Sequence, residues 1–291
     1  MSRSRIDLLL RWVLGLATAA AALLVVVIAV FVVRESWSAA GRIGLGRFVT
    51  DGSWHPTEGV YGMWPMAVAS VATMGGALLL AGPLGVVSAL FCRWYAPRPV
   101  AAVYRRVVEL LAGVPSVVFG FWGLVTLVPL LAKWEPPGAS LLAGVLIVGL
   151  MVLPTVALLS EAAIGAVGED VVKGGAALGL GRAAVLRRVV LPAAGSGIVT
   201  ACLLAAGRAV GETMAVLMVC GNVVQVPGSV FDPVRTLTAN IALEMAYAMQ
   251  DHRSVLFVSA AVLLVLVTGL VLMAEAISHG RLRRGGSVAR G

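Results

Sequence analysis

The sequence predicts an all-α integral membrane protein with about six transmembrane helices. Three observations predict it. Hydrophobic residues fill 60% of the 291 positions and charged residues only 12%, with a mean hydropathy of +0.99; a water-soluble domain is not this apolar. Apolar runs of about 20 residues, the length that crosses a bilayer, recur along the chain. The charges sit in short runs between them, as a positive-inside topology requires. The net charge of +8 is therefore read as a topology signal and not as a nucleic-acid surface.

The apolar runs fall at 12–33, 66–91, 110–132, 139–160, 193–222 and 254–274. The first is followed by the small residues Ser38-Ala39-Ala40, but it exceeds the roughly 7–15 residues of a signal h-region, so it reads as an uncleaved span. With the amino terminus inside, fifteen Lys and Arg lie on inner segments, six lie on outer ones, and Arg208 lies within the membrane. Both termini are then cytoplasmic, in a multi-pass membrane protein. The chain divides into a first helix with its outer segment (1–65), a transmembrane domain (66–280) with a long cytoplasmic loop (161–192), and a basic tail (281–291). Arg3, Arg5, Arg281, Arg283, Arg284 and Arg290 mark the two ends.

Two outer segments are long enough to fold. The stretch 34–65 carries Trp54, His55, Pro56, Tyr61 and Gly62. The stretch 223–253 opens with Pro227-Gly228 and Asp232-Pro233, which are turn signals. Val234, Leu237, Ile241, Met245 and Met249 then follow at helical spacing, predicting a short amphipathic helix. Cys92, Cys202 and Cys220 have no metal spacing and read as small core hydrophobes. His55, His252 and His279 are scattered, so no metal site is predicted.

In the cytoplasmic loop, helix formers surround Gly179-Leu180-Gly181. A left-handed glycine ends one helix and lets a second begin. The second carries Arg182, Arg187 and Arg188 beside Val185, Leu186, Val189 and Val190, and Leu191-Pro192 follows; proline suits a first helical turn. The expected order is helix, glycine turn, short basic amphipathic helix, fifth span.

Gly179, Val189 ten residues on, and Leu191-Pro192 together resemble the coupling loop of ABC importer permeases. At the Glu-Ala-Ala position of that loop stand Lys173, Gly174 and Gly175, while Glu161-Ala162-Ala163 belongs to the preceding helix. "VELLAGVPSVVFGFWGL" at 108–124, "GRAVGETMAVLMVCGN" at 207–222 and "SWHPTEGVYGMWP" at 53–65 are similar to segments of the PstC-type permeases of phosphate importers. The resemblance implies the ABC importer permease fold with a cytoplasmic coupling helix at Arg182–Val190. Gly179, Arg182, Leu186, Arg187, Arg188, Leu191 and Pro192 would meet the ATPase. It also implies a sister permease (PstA type), an ATPase dimer (PstB type) holding ATP and Mg, and an extracytoplasmic phosphate-binding protein (PstS type). This chain itself would bind no cofactor.

Arg208 and Glu212 stand four apart, which on one helix puts them on one face. At about 4 Å and an effective dielectric near 20 they attract by roughly 4 kcal/mol. A guanidinium is the side chain best shaped for an oxyanion. The pair therefore reads as a substrate-path device, with Arg208 exchanging Glu212 for phosphate, or as a structural clamp. Ser116 lines the path or satisfies backbone groups freed by Pro115, which should kink the third span. Asn222 is a helix cap or a ligand contact, and Glu109 pairs with an arginine or guards the exit. No P-loop string and no nucleophile–base set occurs, so the chain is not read as an enzyme. The remaining readings are a permease for molybdate or sulfate, an ATP-independent secondary transporter, and a nontransporting scaffold.

Overall fold

A computed structural model describes residues 3–44 and 46–288, with side-chain surroundings for 7–39, 41–44 and 46–277. The side chains of Arg3, Arg5, His279, Arg281, Arg283 and Arg284, and all of Arg290, lie outside the described residues. In chain order the helices are α1 (Arg3–Ile43), α2 (Arg47–Thr50), α3 (Trp64–Leu90), α4 (Arg98–Gly113), α5 (Ser116–Trp122), α6 (Val128–Ala132) and α7 (Leu141–Gly165). They continue as α8 (Glu169–Ala177), α9 (Arg182–Val185), α10 (Leu191–Val210), α11 (Met214–Val219), α12 (Leu237–Glu244) and α13 (Gln250–Val288). A two-residue antiparallel hairpin, β1 (Trp54–His55) and β2 (Val60–Tyr61), interrupts the helices. Single π-helical turns extend α3, join α5 to α6, and join α9 to α10.

Among the described residues five helices are long and apolar enough to cross a membrane, and a sixth crossing is the bent pair 98–113 and 116–132. The expected span at 110–132 is thus corrected. Its two halves meet at 92°, so α4 turns away from the direction of α5 and α6. Pro115 is the cause. It forces Val114 into an extended conformation and stands before α5, so it breaks the span where the sequence predicted a kink.

The centre is the pair α3 and α7, which run side by side in the same direction, Thr73 beside Gly144, Gly76 beside Val145 and Gly85 beside Val156. Ala69, Thr73, Ala77, Ala81 and Gly85 recur every fourth residue on α3, and all are buried. Small residues let two backbones close on each other where lipid gives no hydrophobic drive. A Cβ on Gly85 would stand 2.8 Å from Val156 of α7, so only glycine fits that crossing. Helix α7 starts where expected because Ser140 caps it, its hydroxyl accepting from the Ala143 N–H at 3.3 Å. Helices α5, α10 and α11 complete this core. Helix α1 runs along α13, with Phe31 edge-on to Phe257 at 5.5 Å.

A polar hub closes the hairpin end. Glu244 is only 6% exposed. Its Oε2 accepts from Trp54 Nε1 at 2.8 Å and lies 2.8 Å from His252 Nε2. Its Oε1 accepts from Arg235 Nη1 at 2.8 Å. Arg235 also donates to Asn240 Oδ1 at 3.1 Å and, through Nε, to the Asn222 carbonyl at 2.9 Å. One carboxylate thereby ties the hairpin, α12 and the start of α13 together. The predicted outer helix is shorter than its apolar stripe, ending at Glu244; Met249 lies beyond it and is exposed. Its inner face includes Asn240 and Glu244, because those side chains find partners there.

Two stability effects follow. Gly85→Val should lower the melting temperature of the detergent-purified chain, by overpacking of about 1–3 kcal/mol, while Gly75→Ala, with open space around it, should not. Glu244→Ala should destabilise by about 3 kcal/mol, because Arg235 and Trp54 lose their acceptor. The same melting assay reads both, and an unchanged midpoint in either variant would contradict the packing or hub assignment.

Candidate functional site

The fifth span begins and ends earlier than its apolar run. It is a continuous helical stretch, Arg182–Val210, and it stops at Gly211. The Gly211 N–H reaches the Gly207 carbonyl at 3.3 Å as the last helical bond. Thr213 then adopts φ −119° and ψ −59° and starts α11. Glu212 Oε1 accepts from the Ala215 N–H at 3.1 Å, and Thr213 Oγ1 donates to the Gly211 carbonyl at 3.1 Å. Thr238 Oγ1 of α12 donates to the Glu212 carbonyl at 2.8 Å. The carboxylate therefore caps α11, where backbone N–H groups are unsatisfied and the helix dipole favours an anion.

This overturns the expected Arg208–Glu212 pair. The helix ends between the two residues, so four-residue spacing no longer means one face. No ion pair joins them among the described residues, and Arg208 stands exposed in the last turn of α10 without a hydrogen-bond partner. Gly211 and Thr213 are the signal that was available: a helix-ending glycine followed two residues later by a cap.

The other expected path residues are dispersed. Ser116 opens α5 beside the Pro115 break, half-buried. Asn222 resolves as a cap: at φ +58° its Nδ2 donates to the Leu217 carbonyl at 2.7 Å, closing α11. Glu109 is exposed on α4. The nearby Arg105 gives its ion pair to Glu161 on α7, not to Glu109. Arg235, Asn240, Glu244 and His252 had no role in the sequence reading. The polar intervals within an apolar stripe were visible, but their partner Trp54, 190 positions away, was not. Beside this hub, burial and the Glu244 charge push the Tyr247 hydroxyl up from its ordinary value. Burial, then the Asp251 charge, does the same for Tyr61. Among the described residues no three His, Cys, Asp or Glu side chains gather to hold a metal.

The coupling-loop residues do come together, in a different order of elements. Gly179 has φ +78°, the left-handed turn expected of it. The basic stretch is not a separate short helix, however. It runs through Leu191 and Pro192 into the membrane segment without a break, and the π-helical turn Leu186–Val190 stands directly before the proline, where a regular α-helical ladder would miss its N–H. Leu186 is buried with Ala89, Ile164, Val185, Val190 and Ala194. Arg182 donates to the Trp94 carbonyl and lies over the Tyr95 ring at 5.6 Å, which ties it to the end of α3. Arg187 and Arg188 are exposed. The separate helix is α8, upstream of the turn. It packs Gly175 against Val185 and Val189 and exposes Asp170, Val171, Gly174, Ala177 and Leu178.

The profile of the binding-protein-dependent transport system inner membrane component family matches residues 81–283. The chain is 38% identical over 240 residues to the probable ABC transporter permease protein YqgH of Bacillus subtilis (strain 168), across 80% of this chain and 78% of that protein. It is 33% identical over 280 residues to the phosphate transport system permease protein PstC of Mesorhizobium japonicum, across 88% and 85%. The structure of a bacterial alginate ABC transporter, in complex with its pentasaccharide-bound periplasmic protein, shares the fold. It aligns with a TM-score of 0.63 over 95% of this chain and 97% of that one, at 14% identity. The fold is that of an ABC importer permease, a transport component and not a catalyst. The match across the transmembrane helices, joined to the glycine-turn loop and the broken fifth span, makes the chain a member of the binding-protein-dependent transport system inner membrane component family, of the PstC type.

Proposed function

We propose that this chain is a membrane subunit of an ATP-driven importer of inorganic phosphate. The observation that carries the reading is its near full-length similarity to a phosphate transport system permease, 33% identical over 280 residues. The chemistry of the fifth span supports it. An unpaired cation in a membrane segment is tolerated where it faces protein or water. Arg208 lies on a face that nothing in this chain covers. A sister permease of the PstA type packed there would enclose a path between the two subunits, with Arg208 on its wall. Phosphate carries one to two negative charges near neutral pH, and a guanidinium meets it with forked donors.

Glu212 takes a different part from the exchange of partners first expected. As a cap it fixes the break after α10 and so holds Arg208 at a helix end. Release of the anion then depends on the path opening, since a conduit must bind its cargo weakly enough to let it leave. Ser116, at the other broken span, is the second polar side chain assigned to the path. Residues 66–280 act as the transport unit.

The exposed side of α8, with the Gly179 turn and Arg187 and Arg188, is the docking surface for a PstB-type ATPase dimer, which supplies ATP and Mg. A PstS-type binding protein delivers phosphate at the hairpin end. The excess of Lys and Arg on the inner segments supports a cytoplasmic glycine-turn end and cytoplasmic termini, in a bacterial cell membrane.

In liposomes holding the whole complex, Arg208→Gln should cut phosphate uptake by about tenfold or more, with subunit assembly intact. Glu212→Gln should transport close to normally, because an amide oxygen still accepts the Ala215 N–H. Wild-type uptake by the first variant would remove Arg208 from the path, and equal losses in both would restore ion-pair exchange. Leu178, 82% exposed, gives the docking test. Leu178→Asp should abolish the stimulation of ATP hydrolysis by loaded binding protein while the two permeases still co-purify; full stimulation would place docking elsewhere.

A further inference from the structure

An open cavity of about 410 Å³ lies between α8 and the end of the segment Trp64–Tyr95. Pockets of roughly 300–1,000 Å³ hold small ligands. Arg93, Trp94, Lys173 and Arg182 line it, with Glu169 and Val172 from α8. Three cations thus face one carboxylate. Glu169 is engaged by Lys173 at 2.9 Å, so the arginines keep a net positive charge. Arg93 has no hydrogen bond or ion pair among the described residues. Its guanidinium passes Gly165, whose missing side chain leaves room at the end of α7; a Cβ there would stand 3.8 Å away.

Arg182, anchored by the Trp94 carbonyl and the Tyr95 ring, is already positioned, so it needs little reordering to meet an anion. Trp94 and Tyr95 also end the apolar segment Trp64–Tyr95, where aromatic residues sit at headgroup level. The cavity is therefore within reach of both lipid headgroups and water.

We propose that this cavity binds a phosphate-bearing anion, with Arg93 and Arg182 as its donors. The group comes either from free inorganic phosphate or from the phosphodiester head of an anionic lipid. Because Glu169, Val172 and Lys173 form its other wall, occupancy sets how firmly α8 is held. This site is separate from Arg208, and its binding chemistry stands whatever cargo the importer carries.

The test uses the purified full chain in nanodiscs. Inorganic phosphate binding is followed by equilibrium dialysis in phosphatidylcholine discs, and lipid retention by native mass spectrometry after mixed phosphatidylglycerol–phosphatidylcholine discs. Wild type should bind phosphate, or retain phosphatidylglycerol over phosphatidylcholine, and whichever occurs identifies the source. Arg93→Gln and Arg182→Gln should each weaken that binding by about tenfold. Arg106→Gln, which removes an exposed cation of α4 outside the cavity, should leave it unchanged. Arg93→Lys guards against misfolding, since it keeps the charge and should restore part of the binding. Neither ligand bound by wild type, or equal binding by Arg93→Gln, Arg182→Gln and Arg106→Gln, overturns the proposal.

Discussion

A backbone that leaves its helix within an apolar segment must still bond every N–H and carbonyl group, and this chain's helices break at two such places, at Pro115 and at Gly211. The rest of the site follows from how those two breaks are satisfied. At the first, Pro115 has no N–H to satisfy, so the bend between α4 and α5 needs little help from side chains. At the second, three groups supply the bonds: the Glu212 carboxylate on the Ala215 N–H, the Thr213 hydroxyl on the Gly211 carbonyl, and the Thr238 hydroxyl on the Glu212 carbonyl. Glu212 is consumed in that work. Arg208 is consequently left without a partner in its own chain, and a charged group left so in a membrane segment requires something outside the chain to face.

The same requirement explains where polar residues gather elsewhere. Thr238 belongs to α12, whose start is fixed by the Leu237 N–H donating to Ser70 on α3 at 2.9 Å. Helix α12 is held in turn by Glu244. The break in the fifth span is therefore braced from the hairpin end, through α12, to Trp54 and Arg235. The charge hub thus helps to set the position of the helix end that carries Arg208.

The spans themselves were legible because hydrocarbon thickness imposes a length that apolar runs display directly. Their interruptions were less so. At 110–132 and 193–222 the hydropathy stays high through Pro115 and through Gly211, and the breaks are written only in single residues. The reading of Arg208 and Glu212 as neighbours failed for this reason: it assumed an unbroken helix across a glycine and a capping threonine. The outer stripe of Val234, Leu237, Ile241, Met245 and Met249 failed differently. Apolar spacing located the helix, but its length and facing depend on Trp54, Arg235 and His252, which reach Glu244 only in three dimensions. In the loop, Gly179 was legible because a left-handed turn has few candidate residues, whereas the continuity past Leu191-Pro192 comes with a π-helical turn at Leu186–Val190 that no single residue announces.

The departure at Lys173-Gly174-Gly175 gains a physical meaning from the position of α8. Gly175 sits on Val185 and Val189, but a Cβ there would meet Val189 at 3.4 Å, an ordinary contact, and Gly174 faces open space. Packing therefore demands neither glycine. Each weakens the helix by about 1 kcal/mol relative to alanine. The Lys173–Glu169 pair that spans the same turn is exposed, and such pairs return about 0.3–0.5 kcal/mol. Helix α8 is thus softer than its neighbours, packed on Val185 and Val189 at one side and bordering an open cavity at another. A helix that hands motion from a partner to the membrane needs stiffness. Were α8 to serve as the proposed docking helix, that stiffness would have to come from what lies against it, the docked partner and the proposed occupant of the cavity.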